Sequence, residues 1–310
     1  MTTTGGGHLG RVTLAGLLAQ VRAERGFDVE WALLRKLERI NGYFVECGLD
    51  AAVIGVSGGV DSALVLSLFM AASRVPRSPI KRVVALQAPV TARGATGQER
   101  ATDYGRRAID AAAAESWHAE LAQAQRAYVA AFSGVAHSDA WSEGQLLSVV
   151  RTPALYYAAA LLQAEGFRSI VVGTTNRDEG AYLGFFGKAS DAMVDMQPVS
   201  DLHKSEVRLL ARRLGVPQDI VERAPSGDVY DAKDDEVMIG APYWAVELYL
   251  ALLCRPRQEL IEGLCALERA QWQRYSSAIT RLHQKNVHKY RVGSPAVHLD
   301  VYERHVPGGW

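Results

Sequence analysis

VIGVSGGVDSALVLSLFM, residues 53–70, is the stretch that decides the fold. Val53, Ile54 and Val56 make a β-branched apolar run, which stops at Ser57-Gly58-Gly59-Val60-Asp61-Ser62; a helical apolar pattern begins at Ala63. A strand, a tight turn and a helix N-terminus therefore follow one another directly. Glycines let backbone N–H groups approach an anion closely, the serines add donors, and the helix dipole adds partial positive charge, so the turn suits phosphate. Asp61 is out of place beside a polyphosphate unless a divalent cation lies between them, which makes it a candidate Mg²⁺ ligand. A glycine turn with an Asp or Ser N-cap would account for the residues singly, but strand, turn and helix in register favour phosphate. The Gly-Lys-Ser/Thr ending of a Walker A loop is absent.

Working outward, 310 residues can bury a large core in one sizeable domain or two small ones. The 34 basic and 34 acidic residues cancel, so no global field recruits nucleic acid or an acidic membrane. Cys47, Cys254 and Cys265 form no CxxC and have no His-rich partner segment, as expected of free thiols in a reducing cytoplasm. No apolar run approaches the ~20 residues that span a bilayer, so a soluble cytoplasmic protein is expected.

Residues 1–27 are expected to form a flexible N-terminal segment, and 28–310 a single domain. From Asp28, the spacing of Trp31, Leu34, Leu37, Ile40, Phe44 and Val45 is helical. Val83–Leu86 reads as a second strand, and the order strand, helix, strand implies a parallel pair with a right-handed crossover. The Ala-rich stretch 101–132 reads as packing helices, and 142–163 as another helix, interrupted or entered at Pro153. Ile170–Val172 is a buried strand ending in Gly173-Thr174-Thr175-Asn176-Arg177-Asp178-Glu179, which repeats the logic of the first turn. If the two strands are neighbours, Glu179 completes a Mg²⁺ site with Asp61. Lys204 opens a helix that stops at Gly215. The polar, acidic stretch 223–240 reads as a lid or a disordered linker. The expected architecture is α/β, a doubly wound parallel sheet with flanking helices.

SGGVDS after a strand resembles the loop of the N-type ATP pyrophosphatases, which cut ATP between its α and β phosphates to adenylate a substrate. With GTTNRDE, KASD, PVSDLHKSEV, LGVP, APSGD, DDE with a later Gly-x-x-Tyr, and a terminal His-Lys pair, all in order, the chain resembles the ammonia-dependent NAD synthetases over most of residues 30–292. The resemblance implies an adenine nucleotide alpha hydrolase-like fold and ATP as co-substrate. Ser57, Gly58, Gly59, Asp61, Ser62, Thr174, Lys204 and Ser226 would hold ATP, with Ser226 where the family usually has Thr. Asp61 and Glu179 would bind Mg²⁺ and, with Lys204, carry the catalysis. Gln145, Val149, Arg151, Tyr156, Lys188, Asp191, His288 and Lys289 would stand on the side of deamido-NAD. Residues 223–240 would be a loop that closes over the site. Family members are homodimers with the substrate at the subunit interface. No glutaminase domain of ordinary size fits, so free ammonia, or ammonia passed from a separate protein, would serve.

One segment departs from the family. Where members usually show Gly-Asn-x-Lys-Ala-Arg-x-Arg, this chain has residues 144–151, GQLLSVVR. Asn becomes Gln145, Lys becomes Leu147 and the first Arg becomes Val149, while Arg151 and Tyr156 persist. Losing a charge-assisted contact could cost ~1.5–3 kcal/mol. The second expectation is therefore an amide ligase of specialised metabolism acting on a different carboxylate.

Overall fold

The central strand, β1 (Ala51–Gly55), is buried on both faces. Ala52 and Ile54 enter one apolar cluster, whereas Ala51 and Val53 enter another, the two-residue alternation of a strand sandwiched between helical layers. The structure, a computed structural model, describes residues 12–90, 96–135, 139–225, 234–290 and 297–299.

Helices α1 (Leu14–Arg25) and α2 (Val29–Cys47) precede β1. They are followed by α3 (Val60–Ser73), β2 (Arg82–Gln87), α4 (Thr96–Ala112), β3 (Glu115–His118), α5 (Ala122–Ala131), α6 (Ala140–Ala164) and β4 (Ser169–Val172). A π-helical turn, Glu179–Leu183, leads to β5 (Met196–Gln197), α7 (Lys204–Arg213), α8 (Gln218–Glu222) and α9 (Asp235–Ile239). The chain continues through α10 (Tyr243–Cys254), α11 (Gln258–Glu262), α12 (Ala266–Asn286) and a 3₁₀ turn, Val287–Lys289, to β6 (Val297–His298).

Among the described residues the strands form one parallel sheet in the order β3-β2-β1-β4-β5-β6. Chain progression runs outward from β1 through β2 to β3, then restarts at β4 on the other side of β1. This reversal leaves a crevice at the carboxyl ends of β1 and β4, where open parallel sheets take ligands. Val53 pairs with Val171 and Ile54 with Val172, so the turns after these two strands leave the sheet side by side. Helices α2, α3 and α7 cover one face and α6 the other.

Three regions differ from the sequence reading. Residues 14–25, expected to be flexible, form α1, whose buried Leu14, Leu17 and Val21 pack against Leu248 and Trp272. The stretch 101–132 is not helical throughout. It contains β3, a four-residue edge strand whose mostly exposed sequence, ESWH, carries no apolar signal. Helix α6 runs unbroken through Pro153. That proline is exposed, so the carbonyl it leaves without a donor can be solvated. In the expected lid, residues 226–233 lie outside the described residues. Around them, Asp235 N–H donates to the Pro225 carbonyl (2.9 Å), and 235–239 is helical.

Candidate active site

Two chain turns build the site. In the first, Ser62 Oγ donates to the Gly59 carbonyl (3.0 Å) and accepts from Ser57 N–H (3.3 Å), curling the segment so that Gly59 caps α3 with no side chain in the way. Gly58 has φ +82°, and a Cβ there would lie 2.2 Å from the Ala101 carbonyl oxygen. Only glycine permits both the turn and the close seating of α4 against it.

The second turn follows β4. Asn176, fully buried, donates through Nδ2 to Asp61 Oδ1 (3.0 Å) and Glu179 Oε1 (2.7 Å), while its Oδ1 accepts Glu179 N–H (3.1 Å). One amide thus holds the two carboxylates on adjacent turns together. Lys204, at the start of α7, places Nζ 2.5 Å from Asp61 Oδ2 and 3.2 Å from Glu179 Oε1. Tyr243 OH donates to Glu179 Oε1 (2.8 Å), and the Lys204 ammonium lies 4.8 Å from the Tyr243 ring centroid. Asp61, Glu179 and Lys204, 143 residues apart at the extremes, therefore meet as the strand order requires.

Charge and burial set the protonation of this cluster. Burial pushes the Glu179 carboxyl up to about 7; the Lys204 ammonium opposes that rise and the Asp61 charge adds to it. Burial alone would lower Lys204, but Asp61 and Glu179 outweigh it and hold the ammonium above its ordinary range. Behind the cluster, Asp178 Oδ2 accepts Lys204 N–H (2.7 Å) and Oδ1 pairs with His203 Nδ1 (2.6 Å). Burial raises Asp178 to about 7 and lowers His203 to about 4. Arg25 reaches from α1 to Glu206 and to the Asp201 carbonyl (2.7 Å), and fully buried Lys36 pairs with Asp201 and donates to the Leu299 carbonyl (2.7 Å). The first turn of α7 is thereby braced from α1 and α2.

Beside the turns lies a cavity of about 200 Å³ at the strand ends. Of the residues expected in the site, it brings together Ser57, Thr174, Arg151 and Asp191; sequence reasoning missed Gln87, Thr102, Ser148 and Thr152. Arg151 Nε donates to the Ala88 carbonyl (3.1 Å). Asp191 Oδ2 accepts Gly187 N–H (3.0 Å) and the Ser190 hydroxyl (3.2 Å). Gln197, buried at the end of β5, accepts Thr175 N–H (3.1 Å) through Oε1 and donates to the Asp191 carbonyl (2.8 Å) through Nε2. Its amide lies flat against Gly173, where any Cβ would come within 2.7 Å of it.

Other expected residues lie elsewhere. Gln145 and Val149 are not among the cavity's lining, because α6 turns Ser148, Arg151, Thr152 and Leu155 toward it. Val149 is instead exposed, as are Trp141, Tyr157 and Leu161 of the same helix, while Leu147 is buried with Val90 and Val150. Tyr156 packs beside the sheet cluster with its hydroxyl 3.5 Å from Asp195 Oδ1. Lys188 and His288 are exposed, and His288 Nδ1 lies 3.1 Å from the Lys285 carbonyl at the end of α12. Lys289 donates to the carbonyls of Gly184 (2.8 Å) and Phe186 (2.6 Å), so it fastens the loop that carries Lys188 and Asp191. Ser226 lies outside the described residues. Asn176 and Tyr243 went unassigned; the amide at the strand end and the Gly240-x-x-Tyr243 spacing were their available signals.

The family model for NAD synthase matches residues 33–293. An NH₃-dependent NAD⁺ synthetase of Methanosarcina acetivorans is 30% identical over 272 residues, covering 87% of this chain and 98% of its own. Among solved structures, an NAD⁺ synthetase from Burkholderia pseudomallei is similar with a TM-score of 0.62 at 25% identity, over 90% of this chain and 96% of that one. An NMN synthetase from Francisella tularensis shares the fold, with a TM-score of 0.67 at 22% identity over 86% of this chain and 98% of its own.

Proposed function

The chain belongs to the NAD synthase family, and from that premise we propose that it amidates the nicotinate carboxylate of deamido-NAD with ammonia, by way of an acyl adenylate formed from ATP. The observation that carries the reading is the cluster in which Asp61, Glu179 and Lys204 converge beside the Ser57–Ser62 turn.

A carboxylate is a poor electrophile. Its oxygen attacks the α-phosphorus of ATP, the bond to the pyrophosphate oxygen breaks, and pyrophosphate leaves. The lone pair of ammonia then attacks the acyl carbon, the nitrogen gives up its extra proton, and AMP departs with the acyl C–O bonding pair. No enzyme nucleophile is needed, so positioning and exclusion of water carry the rate. Backbone N–H groups of the turn, with Ser57, Ser62 and Thr174, receive the phosphates, and the Lys204 ammonium offsets charge that grows on the departing pyrophosphate. Ser226 is proposed as a further phosphate contact. Asp61 and Glu179 fit Mg²⁺: two hard oxygen donors already converge on one cationic centre, and phosphate oxygens and water would complete the shell. Bound there, Mg²⁺ would supply electrostatic stabilisation of the phosphates. Arg151 and Asp191 face the acceptor, with Lys289 and Gln197 holding the acceptor loop in place.

Exposed Tyr157 and Leu161 of α6 and Tyr128 of α5 line one apolar hollow with Ala154 and Ala158. We propose that this face joins two copies in a homodimer, with Gln145 and Val149 near the partner. Free ammonia or a separate donor protein would supply the nitrogen. Among the described residues no helix is long and apolar enough to cross a membrane, and the free thiols accord with a cytoplasmic setting.

Purified protein with Mg²⁺-ATP, ammonia and deamido-NAD should yield NAD and pyrophosphate in equal amounts. Asp61→Ala and Glu179→Ala should each abolish both products while circular dichroism is unchanged. Near wild-type turnover in either variant at saturating Mg²⁺ would remove the site assignment. A different acid that outpaces deamido-NAD in ATP-pyrophosphate exchange would instead make the enzyme a ligase for that acid.

A further inference from the structure

Two carboxylates that share one buried amide donor repel each other unless a cation lies between them. Lys204 Nζ supplies that charge, at 2.5 Å from Asp61 Oδ2 and 3.2 Å from Glu179 Oε1. A Mg²⁺ ion ligated by the two oxygens the ammonium touches, Asp61 Oδ2 and Glu179 Oε1, would need them at ~2.0–2.1 Å and would occupy the space the ammonium now fills. Two cations cannot share that position in a low-dielectric site. Resting on the Mg²⁺-dependent reading above, we propose that Lys204 is a stand-in cation, which keeps Asp61 and Glu179 paired in the empty enzyme and yields its place to the metal only when ATP phosphates arrive to receive the ammonium.

The surroundings suit such an exchange. The Lys204 backbone is fixed, its N–H bound to Asp178 Oδ2 (2.7 Å) at the braced start of α7. Movement is therefore confined to the flexible four-carbon stem. The Tyr243 ring offers the ammonium a face 4.8 Å away, and Tyr243 OH keeps Glu179 anchored whether or not the lysine is there. Asn176 likewise holds both carboxylates in place from the opposite side. The site thus has a rigid frame and one movable charge. The metal would enter with ATP rather than ahead of it.

Mn²⁺ binding, read by electron paramagnetic resonance, tests the exchange without turnover. Nucleotide-free wild type should bind Mn²⁺ at least tenfold more weakly than Lys204→Met, and Asp61→Asn in the Lys204→Met background should abolish the gained site. Wild type with a non-hydrolysable ATP analogue should acquire a protein-bound Mn²⁺ signal that Asp61→Asn removes. Equal Mn²⁺ affinity in nucleotide-free wild type and Lys204→Met would overturn the exchange while leaving the metal reading intact. Absence of an Asp61-dependent signal in every sample would overturn the metal reading itself and the exchange with it. The wild-type arms decide the matter even if Lys204→Met folds poorly, since tight Mn²⁺ binding without nucleotide is incompatible with an occupied seat.

Discussion

Asn176→Ala is the substitution that most directly tests how the site is held together. The amide makes two bonds to carboxylates, at 3.0 and 2.7 Å, and accepts one backbone N–H at 3.1 Å, with no exposure to solvent. Hydrogen bonds to charged groups contribute ~1.5–3 kcal/mol each. One NH₂ group makes both, so the losses will not add fully, and about 3 kcal/mol is the expected effect on the assembled site. In kcat/KM for ATP that is roughly a hundredfold. Pyrophosphate release at saturating ammonia and acceptor measures it, with circular dichroism as the control for folding. Asn176→Asp sharpens the test. It preserves shape, removes the donor and sets a third negative charge against Asp61 and Glu179, so it should be slower than Asn176→Ala. If Asn176→Asp outperforms Asn176→Ala, Asn176 serves as a space-filler and the electrostatic account is wrong.

Three further outcomes follow from the surroundings. Lys36→Met takes the paired ammonium away from buried Asp201 and should cost about 3–5 kcal/mol in urea unfolding, largely recovered by adding Asp201→Asn; a loss under ~1 kcal/mol would contradict the burial argument. His203, lowered from 6.5 to about 4, binds fewer protons folded than unfolded, so its contribution is lost as pH falls through that window, whereas Asp178, raised from 3.8 to about 7, contributes stability at low pH that is lost as pH rises. The two trends oppose each other; Asp178→Asn unmasks His203 and should lose about 2–3 kcal/mol more than wild type between pH 7 and 4.5, and parallel profiles would count against it. Tyr157→Glu, in the apolar hollow between α5 and α6, should convert a sedimenting dimer into monomers; a wild type that is monomeric at all concentrations, or a variant that stays dimeric, rules out this face.

What could be read from sequence was what is local. Strand, turn and helix around SGGVDS announce themselves within eighteen residues, and GTTNRDE repeats the form after β4. Their meeting depends on strand order, which no window of residues contains, although neighbouring strands were the stated condition for it. β3 escaped notice because an edge strand of four mostly exposed residues needs no apolar run. α1 escaped because its narrow stripe of Leu14, Leu17 and Val21 follows a Gly- and Thr-rich start and is explained only by the distant Leu248 and Trp272. Leu147 and Val149 looked alike as departures from the family, yet one fills the core and the other faces outward. Helical phase at a tertiary contact separates them, and residue type does not. Asn176 and Tyr243 act through bonds to groups up to 115 residues away, for which polar side chains carry no periodic signature.

The Gln197 amide has a bearing on how this enzyme could be given new acceptors. Thr175, one residue before Asn176, and the main chain at Asp191 hang from the two polar atoms of one amide, which has its place only because Gly173 carries no side chain. The turn after β4 and the 187–191 loop, the proposed nucleotide and acceptor halves, are thus joined through one side chain rather than standing as two independent modules. Redesign of residues 187–191 for another acid will carry its distortions straight into the turn that aligns Glu179, and will be compensated only by changes that leave Gln197 and Gly173 in place. New specificity is more accessible from the α6 side, where Ser148 reaches the cavity.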